Sequence, residues 1–280
     1  MSSERPDRWS THMVDLGPAI VVKRYTDTAR EPGRERCVRE WRALTLLHAH
    51  APGLAAEPRR ADPDAAVPAI AMSRLPGDPL RGRVLDARQL AAFADAVGTL
   101  HRAVPPRILH RLPRRPGLPG ELAAQVRAWS TGPPPRPDDG PVSRAKEQGL
   151  AWLARSGLEH GGEPPVPAVF GPGDGNLANY LWDGTWVRVV DFEESGRSDR
   201  AFELAEITEH VSAWVDHPLD VTAFLEQADL TAAETARLRD CRRLLALVWL
   251  FLLAFDDPDH PRNPPGTAER QAGRLLGLLG

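Results

Sequence analysis

The chain has 280 residues, 42% of them hydrophobic and 26% charged, which excludes a disordered chain. At roughly 150 residues per domain it bounds the architecture to one large domain or two lobes. Lys and Arg total 35 against 38 Asp and Glu, for a formal charge of -3. This argues against a dedicated nucleic-acid binder, which needs a concentrated basic face. Proline is about twice as frequent as usual, and only Lys23 and Lys146 among the basic residues are lysines. Cys37 and Cys241 lie far apart with no CxxC pair, as expected for two buried, reduced thiols in a cytoplasmic protein. The opening MSSERPDRWSTHM lacks the apolar core of a signal peptide. The most apolar run, LLALVWLFLLAF at 244–255, is too short to cross a bilayer and reads as a buried helix, so no membrane partner is expected.

In chain order, two short extended runs flank Gly17-Pro18, a hairpin connection, and the second, Ala19 to Val22, ends on Lys23. A helix follows with Val38, Trp41, Leu44 and Leu47 as its apolar stripe and Glu40 among the residues around it; Ala51-Pro52-Gly53 stops it. Residues 58–68 read as a polar excursion and PAIAMSRL as another strand. Pro76-Gly77-Asp78-Pro79 is the strongest break and divides the chain into lobes at 1–75 and 76–280. Beyond it, Asp86 and Gln89 form a capping box for a helix whose stripe is Leu90, Phe93, Val97, Leu100 and Val104. The proline-dense stretch 105–141, with Pro133-Pro134-Pro135, reads as stiff connection around a short helix near 122–129. Helical period returns at 144–158. Two β-rich runs around Asp183-Gly184 then form the clearest hairpin signal, with Trp182 and Trp186 packing it. Helices are expected near 202–214, 220–229, 232–255 and 268–279.

The chemistry concentrates in VFGPGDGNLANYLWDGTWVRVVDFEESG. Antiparallel pairing returns Asp191 to the side of Asn179, bringing a carboxylate and a carboxamide together near Asp174. These are hard oxygen ligands suited to Mg²⁺ with nucleotide phosphates, and Asp174, five residues back, is placed to receive a hydroxyl proton. Asp and Asn in glycine-rich loops also cap turns, and a strand lysine is also an ordinary solvated cation; both readings stay open on composition alone. His110, His210 and His217 have no zinc spacing, and Ser195 lies outside a GxSxG elbow.

A strand lysine, a helix glutamate, an interlobe break, an Asp-x4-Asn loop, a hairpin and Asp-Phe together resemble the aminoglycoside phosphotransferase family of protein-kinase-like small-molecule kinases. The resemblance covers roughly residues 12–255 and is most specific in DGNLANYLWDG and VVDFEESGRSDRAFELAE. It implies an α+β, two-lobed kinase-like fold, with a small antiparallel sheet and one main helix in the N-lobe and a mostly helical C-lobe carrying the catalytic hairpin. ATP and Mg²⁺ are the implied cofactors. Lys23 would meet the phosphates and Glu40 would orient it. Ser73, Arg74 and Leu75 would face the adenine, Asp174 would be the catalytic base, and Asn179 and Asp191 would bind the metal. The implied reaction is O-phosphorylation of a small hydroxylated acceptor by a monomer or homodimer. Asp199 is expected to buttress the loop. Glu193, Glu194, Glu203, Glu206 and Glu209 would either attract a cationic acceptor or form solvated helix faces.

The chain departs from the family pattern in two places. Pro172 stands where the family has a histidine before the catalytic Asp. Only 22 residues precede Lys23, with no glycine before Gly17. The phosphate loop is therefore a shortened one at Trp9-Ser10-Thr11-His12, or absent, or upstream of the given start. These departures leave a second reading, a kinase-like nucleotide-binding or regulatory protein without appreciable catalysis.

Overall fold

The computed structural model describes residues 12–28, 31–132, 140–158, 166–254 and 262–280. The expected phosphate-loop residues Trp9, Ser10 and Thr11, the Pro133-Pro134-Pro135 run and Phe255 lie outside them. Strands β1 (His12–Leu16) and β2 (Ile20–Tyr25) form the hairpin about Gly17-Pro18. The turn closes with the Gly17 amide donating to the Ile20 carbonyl at 2.9 Å. Helix α1 (Gly33–His50) follows, then β3 (Pro58–Asp62) and β4 (Ala69–Ser73), giving an antiparallel sheet of order β1-β2-β4-β3. β3 corrects the expected polar excursion at 58–68. Its PRRAD sequence has no apolar alternation because it is an edge strand, where charge and Pro discourage further pairing. β2 also continues past Lys23 to Tyr25, so the lysine lies inside the strand rather than at its end.

In α1 the buried face runs through Arg36, Cys37, Glu40, Ala43, Leu44 and Leu47. Val38 and Trp41 are only half-buried, so Glu40 belongs to the buried face rather than beside it. A carboxylate at that position hides the stripe from a reading based on hydrophobicity. The break at 76–79 contains β5 (Asp78–Pro79), which pairs with the later hairpin about Asp183-Gly184.

The C-lobe is mostly helical. α2 (Ala87–Ala103) carries the capping box between Asp86 and Gln89 and buries Leu90, Phe93, Val97 and Leu100. After α3 (Pro106–Leu109), α4 (Pro119–Thr131) extends beyond the expected 122–129 because Pro119 occupies the first turn, where its missing N–H costs nothing. α5 (Pro141–Ser156) and β6 (Ala168–Gly171) lead to the hairpin β7 (Tyr180–Trp182) and β8 (Val187–Val189). Trp182 is half-buried beneath Arg88, whereas Trp186 is 60% exposed and does not pack the hairpin. β9 (Gly196–Asp199) pairs back on β6, and α6 (Arg200–Glu209), α7 (Val221–Glu226), α8 (Ala232–Ala254) and α9 (Thr267–Leu279) complete the lobe. Asp199 caps α6 by accepting from the Phe202 amide at 2.9 Å and pairs with Arg237 of α8.

One apolar cluster links the lobes, from Tyr25, Leu44 and Ile70 to Phe93, Tyr180 and Phe202. The Val189 amide also donates to the Leu54 carbonyl, tying the segment after α1 to the hairpin. Both cysteines are free and buried.

Candidate active site between the lobes

β2 is a middle strand, and at Lys23 it turns its side chain inward, leaving the residue 4% exposed. The ammonium donates to Glu40 Oε2 at 2.7 Å and to Asp191 Oδ1 at 2.6 Å, with Glu193 Oε2 at 3.1 Å. Burial alone would lower the lysine pKa. The Glu40, Asp191 and Glu193 carboxylates outweigh it and push the pKa up, so Lys23 is a permanent cation. Glu40 also accepts from the Tyr25 hydroxyl at 2.6 Å, which fixes the carboxylate from a second side.

Asp191 follows β8 with φ +68, a left-handed conformation unfavourable for a residue with Cβ. That turn directs its carboxylate to Lys23. Hydrogen bonding of the Val190 amide to the Asn179 carbonyl at 2.9 Å places Asp191 at the end of the ladder beside Asn179, in keeping with the expected hairpin geometry. Asn179 Nδ2 donates to Asp174 Oδ2 at 3.0 Å, and the Asn176 amide donates to Asp174 Oδ1 at 2.9 Å. The amide nitrogen of Asn179 is therefore spent on Asp174, which turns its carbonyl oxygen away from that bond. Among the described residues Asp191 Oδ2 has no hydrogen bond. Two hard oxygens thus remain for a divalent cation, a donor set that fits Mg²⁺.

Lys23, Glu40, Asn179 and Asp191 line one cavity of about 340 Å³. Val14, Leu16, Val21, Met72, Leu75 and Leu181 give it apolar walls. Leu16 is 67% exposed on the open face of β1. Ser73, Arg74 and Leu75 all border the cavity. The Ser73 amide already donates to the Glu57 carbonyl and the Arg74 amide to the Ala19 carbonyl. Among the described residues the Leu75 amide has no such partner, so of the three backbone amides it alone retains a free N–H. Asp174 does not line the cavity; it is joined to the cavity wall through its bond to Asn179. A larger cavity, about 560 Å³, lies between α2, β6 and α7 and contains none of the expected site residues.

Sequence reasoning missed three participants. His210, beyond α6, accepts from the Ser212 amide at its Nδ1 at 3.1 Å, so its proton sits on Nε2, 3.7 Å from Asp174 Oδ1. Burial lowers its pKa to about 4, against the pull of Asp174, so the ring is neutral at pH 7. Arg115 lies under the Asp174 loop, bonded to the Gly173 carbonyl. Arg36 anchors Glu193 at 3.2 Å from α1. Only the doublet of acids after Asp191-Phe192 hinted at this last contact.

Glu193, Glu194, Glu203, Glu206 and Glu209 are mostly neither solvated nor available to a cationic acceptor. Glu193 pairs with Lys23 and Arg36, Glu203 and Glu206 with Arg115, and Glu209 with Arg242 and Arg274. Glu203 and Glu209 are 2% and 0% exposed. Glu194 is the most open, with burial raising its pKa in spite of Arg39. Helical spacing could not reveal this, because the arginine partners lie 30 or more residues away or on other elements.

A small antiparallel lobe over a helical lobe, with a buried strand lysine facing a hairpin carboxylate, defines the two-lobed fold of protein-kinase-like enzymes. The phosphotransferase enzyme family model (APH) matches residues 7–241, and the chain belongs to that family. Among solved structures it is similar to a choline/ethanolamine kinase family protein from Mesorhizobium loti. The identity is 17%, the TM-score 0.65, and 96% of this chain and 85% of that one are covered. It is also similar to the choline kinase LicA from Streptococcus pneumoniae, at 12% identity, TM-score 0.63 and 100% and 93% coverage. A spectinomycin phosphotransferase, APH(9)-Ia, crystallised with ADP and spectinomycin, matches at 12% identity, TM-score 0.63 and 98% and 87% coverage. At these identities the likeness establishes the fold. No curated protein matches the chain in sequence. No helix among the described residues is long and apolar enough to cross a membrane.

Proposed function

We propose that the chain is an ATP- and Mg²⁺-dependent O-phosphotransferase for a small hydroxylated acceptor, amino-bearing compounds included. In this reading residues 1–75 form the nucleotide lobe and 76–280 the catalytic and acceptor lobe of a cytoplasmic monomer or homodimer. The observation that carries it is the joining of two charge sets along one cleft: Lys23 held by Glu40 and Asp191, and Asp174 held by Asn179. The apolar walls from Val14, Val21, Met72 and Leu181 suit a purine, and the Leu75 amide is the donor left to hydrogen-bond its edge.

Asn179 and Asp191 would hold the magnesium ion, whose chemistry is to neutralise charge on the phosphates. Lys23 supplies a fixed positive charge to the phosphate oxygens, with Glu40 and Tyr25 setting its direction. Asp174, its carboxylate pinned by the Asn176 amide and by Asn179, accepts the proton of the acceptor hydroxyl as that oxygen attacks the γ-phosphorus of ATP and the bond from that phosphorus to the β-phosphate oxygen breaks, releasing ADP. His210 presents an N–H toward the same carboxylate, 3.7 Å from Oδ1.

A phosphorylation screen read by mass spectrometry, with Mg-ATP and pooled amino sugars, amino alcohols and other hydroxylated metabolites, tests the proposal. The pool includes choline, spectinomycin and hygromycin B, which the structural neighbours are named for or crystallised with. One acceptor should gain a single phosphate. Asp174→Asn should lower its turnover about 10²- to 10⁴-fold, the range for a general base, with nucleotide affinity little changed. Nucleotide binding without transfer to any acceptor would instead establish the binding-protein reading.

A further inference from the structure

The peptide just before Asp174 is gripped from both sides by one buried arginine and its partner. Arg115, 4% exposed, donates Nη2 to the Gly173 carbonyl at 2.9 Å. The same guanidinium meets Glu203 Oε1 at 2.9 Å and Glu206 Oε1 at 3.1 Å, and lies 4.9 Å over the Phe202 ring. Glu203 in turn faces the Gly173 amide, its Oε2 accepting at 3.4 Å. Gly173 adopts φ +91, and a Cβ there would fall 2.2 Å from the Glu194 carbonyl oxygen, so the peptide cannot slide toward the following segment. Pro172 contributes no side-chain donor of its own, which leaves the hold on this peptide to groups outside the loop.

Arg115 is itself fixed by backbone contacts. Its amide donates to the Arg197 carbonyl at 3.1 Å, and the Arg197 amide donates to the Pro113 carbonyl at 3.0 Å. A Cβ on Gly196 would strike the Arg115 nitrogen at 2.7 Å. The arginine is therefore referenced to the chain emerging from Asp191, and its guanidinium transmits that position to the loop bearing Asp174. Asp174's own carboxylate bonds come from Asn176 and Asn179, so Arg115 acts on the backbone and not on the reacting group.

We propose that Arg115 is a positioning residue: by clamping the Gly173 peptide between its guanidinium and Glu203, it sets the location of Asp174 relative to Asp191 and the cleft. The catalytic half of the proposal rests on the phosphotransferase reading of Asp174. A single ammonium keeps the charge beside Glu203 and Glu206 but cannot make the forked contacts of a guanidinium.

Arg115→Lys is therefore the test variant, since Arg115→Met would strand two buried carboxylates and endanger folding. ADP release from Mg-ATP in the presence of the pooled acceptors should show kcat lowered about 100-fold, the scale of a misplacement near 1 Å, with KM for ATP within about threefold. Amide hydrogen exchange should accelerate about tenfold or more in residues 173–176 while α8 stays as protected as in the wild type. A kcat within about threefold of wild type, or exchange that rises equally across α6 and α8, overturns the proposal. If Asp174→Asn leaves turnover intact, the reading of Asp174 fails and the catalytic half falls with it. The exchange measurement then decides the clamp by itself.

Discussion

Two buried ion clusters, one on each side of the cleft, have nearly the same chemistry and resolve it differently. In the upper one, Lys23 and Arg36 face Glu40, Asp191 and Glu193. In the lower one, Arg115 faces Glu203 and Glu206. Each has one more carboxylate than fixed cations. The lower cluster is the more enclosed, the Glu206 side chain being 13% exposed, and at and below neutral pH the surplus is met by a proton: burial raises the Glu206 pKa to about 7 although Arg115 opposes the rise. The upper cluster opens on the cleft through Asp191, whose side chain is 23% exposed, so its surplus is available to a cation arriving with the ligand. Under the proposed function, a buried excess of negative charge is structural where it is mostly enclosed and serves the ligand where it meets a cavity.

The largest break in this comparison comes from Asp191→Ala, which removes the open carboxylate. Mg²⁺-dependent nucleotide binding, followed by calorimetry with and without the metal, should disappear, and turnover should fall by about 10³-fold or more. Weak metal-independent binding should remain through the apolar walls. Lys23→Met comes next. It should lower kcat about 10²-fold. Because it leaves three carboxylates around an apolar side chain, it should also cost about 3 kcal/mol of stability, the scale for breaking a buried ion pair. Urea denaturation reads the second effect separately from the first. Unchanged stability would mean that water or a proton already replaces the lysine charge.

The legible parts of this molecule are those whose signal is local. The turn at Gly17-Pro18, the capping box at Asp86 and Gln89, and the hairpin about Asp183-Gly184 each depend on residues a few positions apart, and all three form as expected. The hairpin then carries a long-range consequence, because strand pairing alone returns Asp191 to Asn179. Lys23 and Glu40 were legible as types in order, but their contact depends on α1 crossing β2 with a carboxylate on its buried face. Arg115 and His210 carry no local mark. One sits in a proline-rich connection and the other ends a helix, and both acquire meaning only when α6 is laid against the Asp174 loop. The strand β3 was hidden for a different reason, since an edge strand need not alternate.

The smallest expected effect probes the more enclosed cluster. Glu206 has a folded pKa of about 7 against an ordinary carboxylate value of 4.5. Its raised pKa means that the folded state holds a proton the unfolded chain has released. Below pH 4.5 both states are protonated and Glu206 costs nothing. As pH rises from 4.5 to 7 the unfolded state is increasingly favoured, and above 7 the penalty levels off at no more than about 3 kcal/mol. Glu206→Gln removes this titration while keeping an acceptor for Arg115. The melting temperature of the variant minus that of the wild type should therefore climb between pH 5 and 7.5 by about 5 °C and then flatten. His101 and His210, whose pKa values burial lowers to about 4, also make stability depend on pH in part of this range. They are present in both proteins, so their contribution cancels in the difference. A difference that stays flat across the range would mean that Glu206 is ionised at pH 5 and that Arg115 alone neutralises both carboxylates. The contrast between a proton-balanced and a cation-balanced cluster would then have to be abandoned.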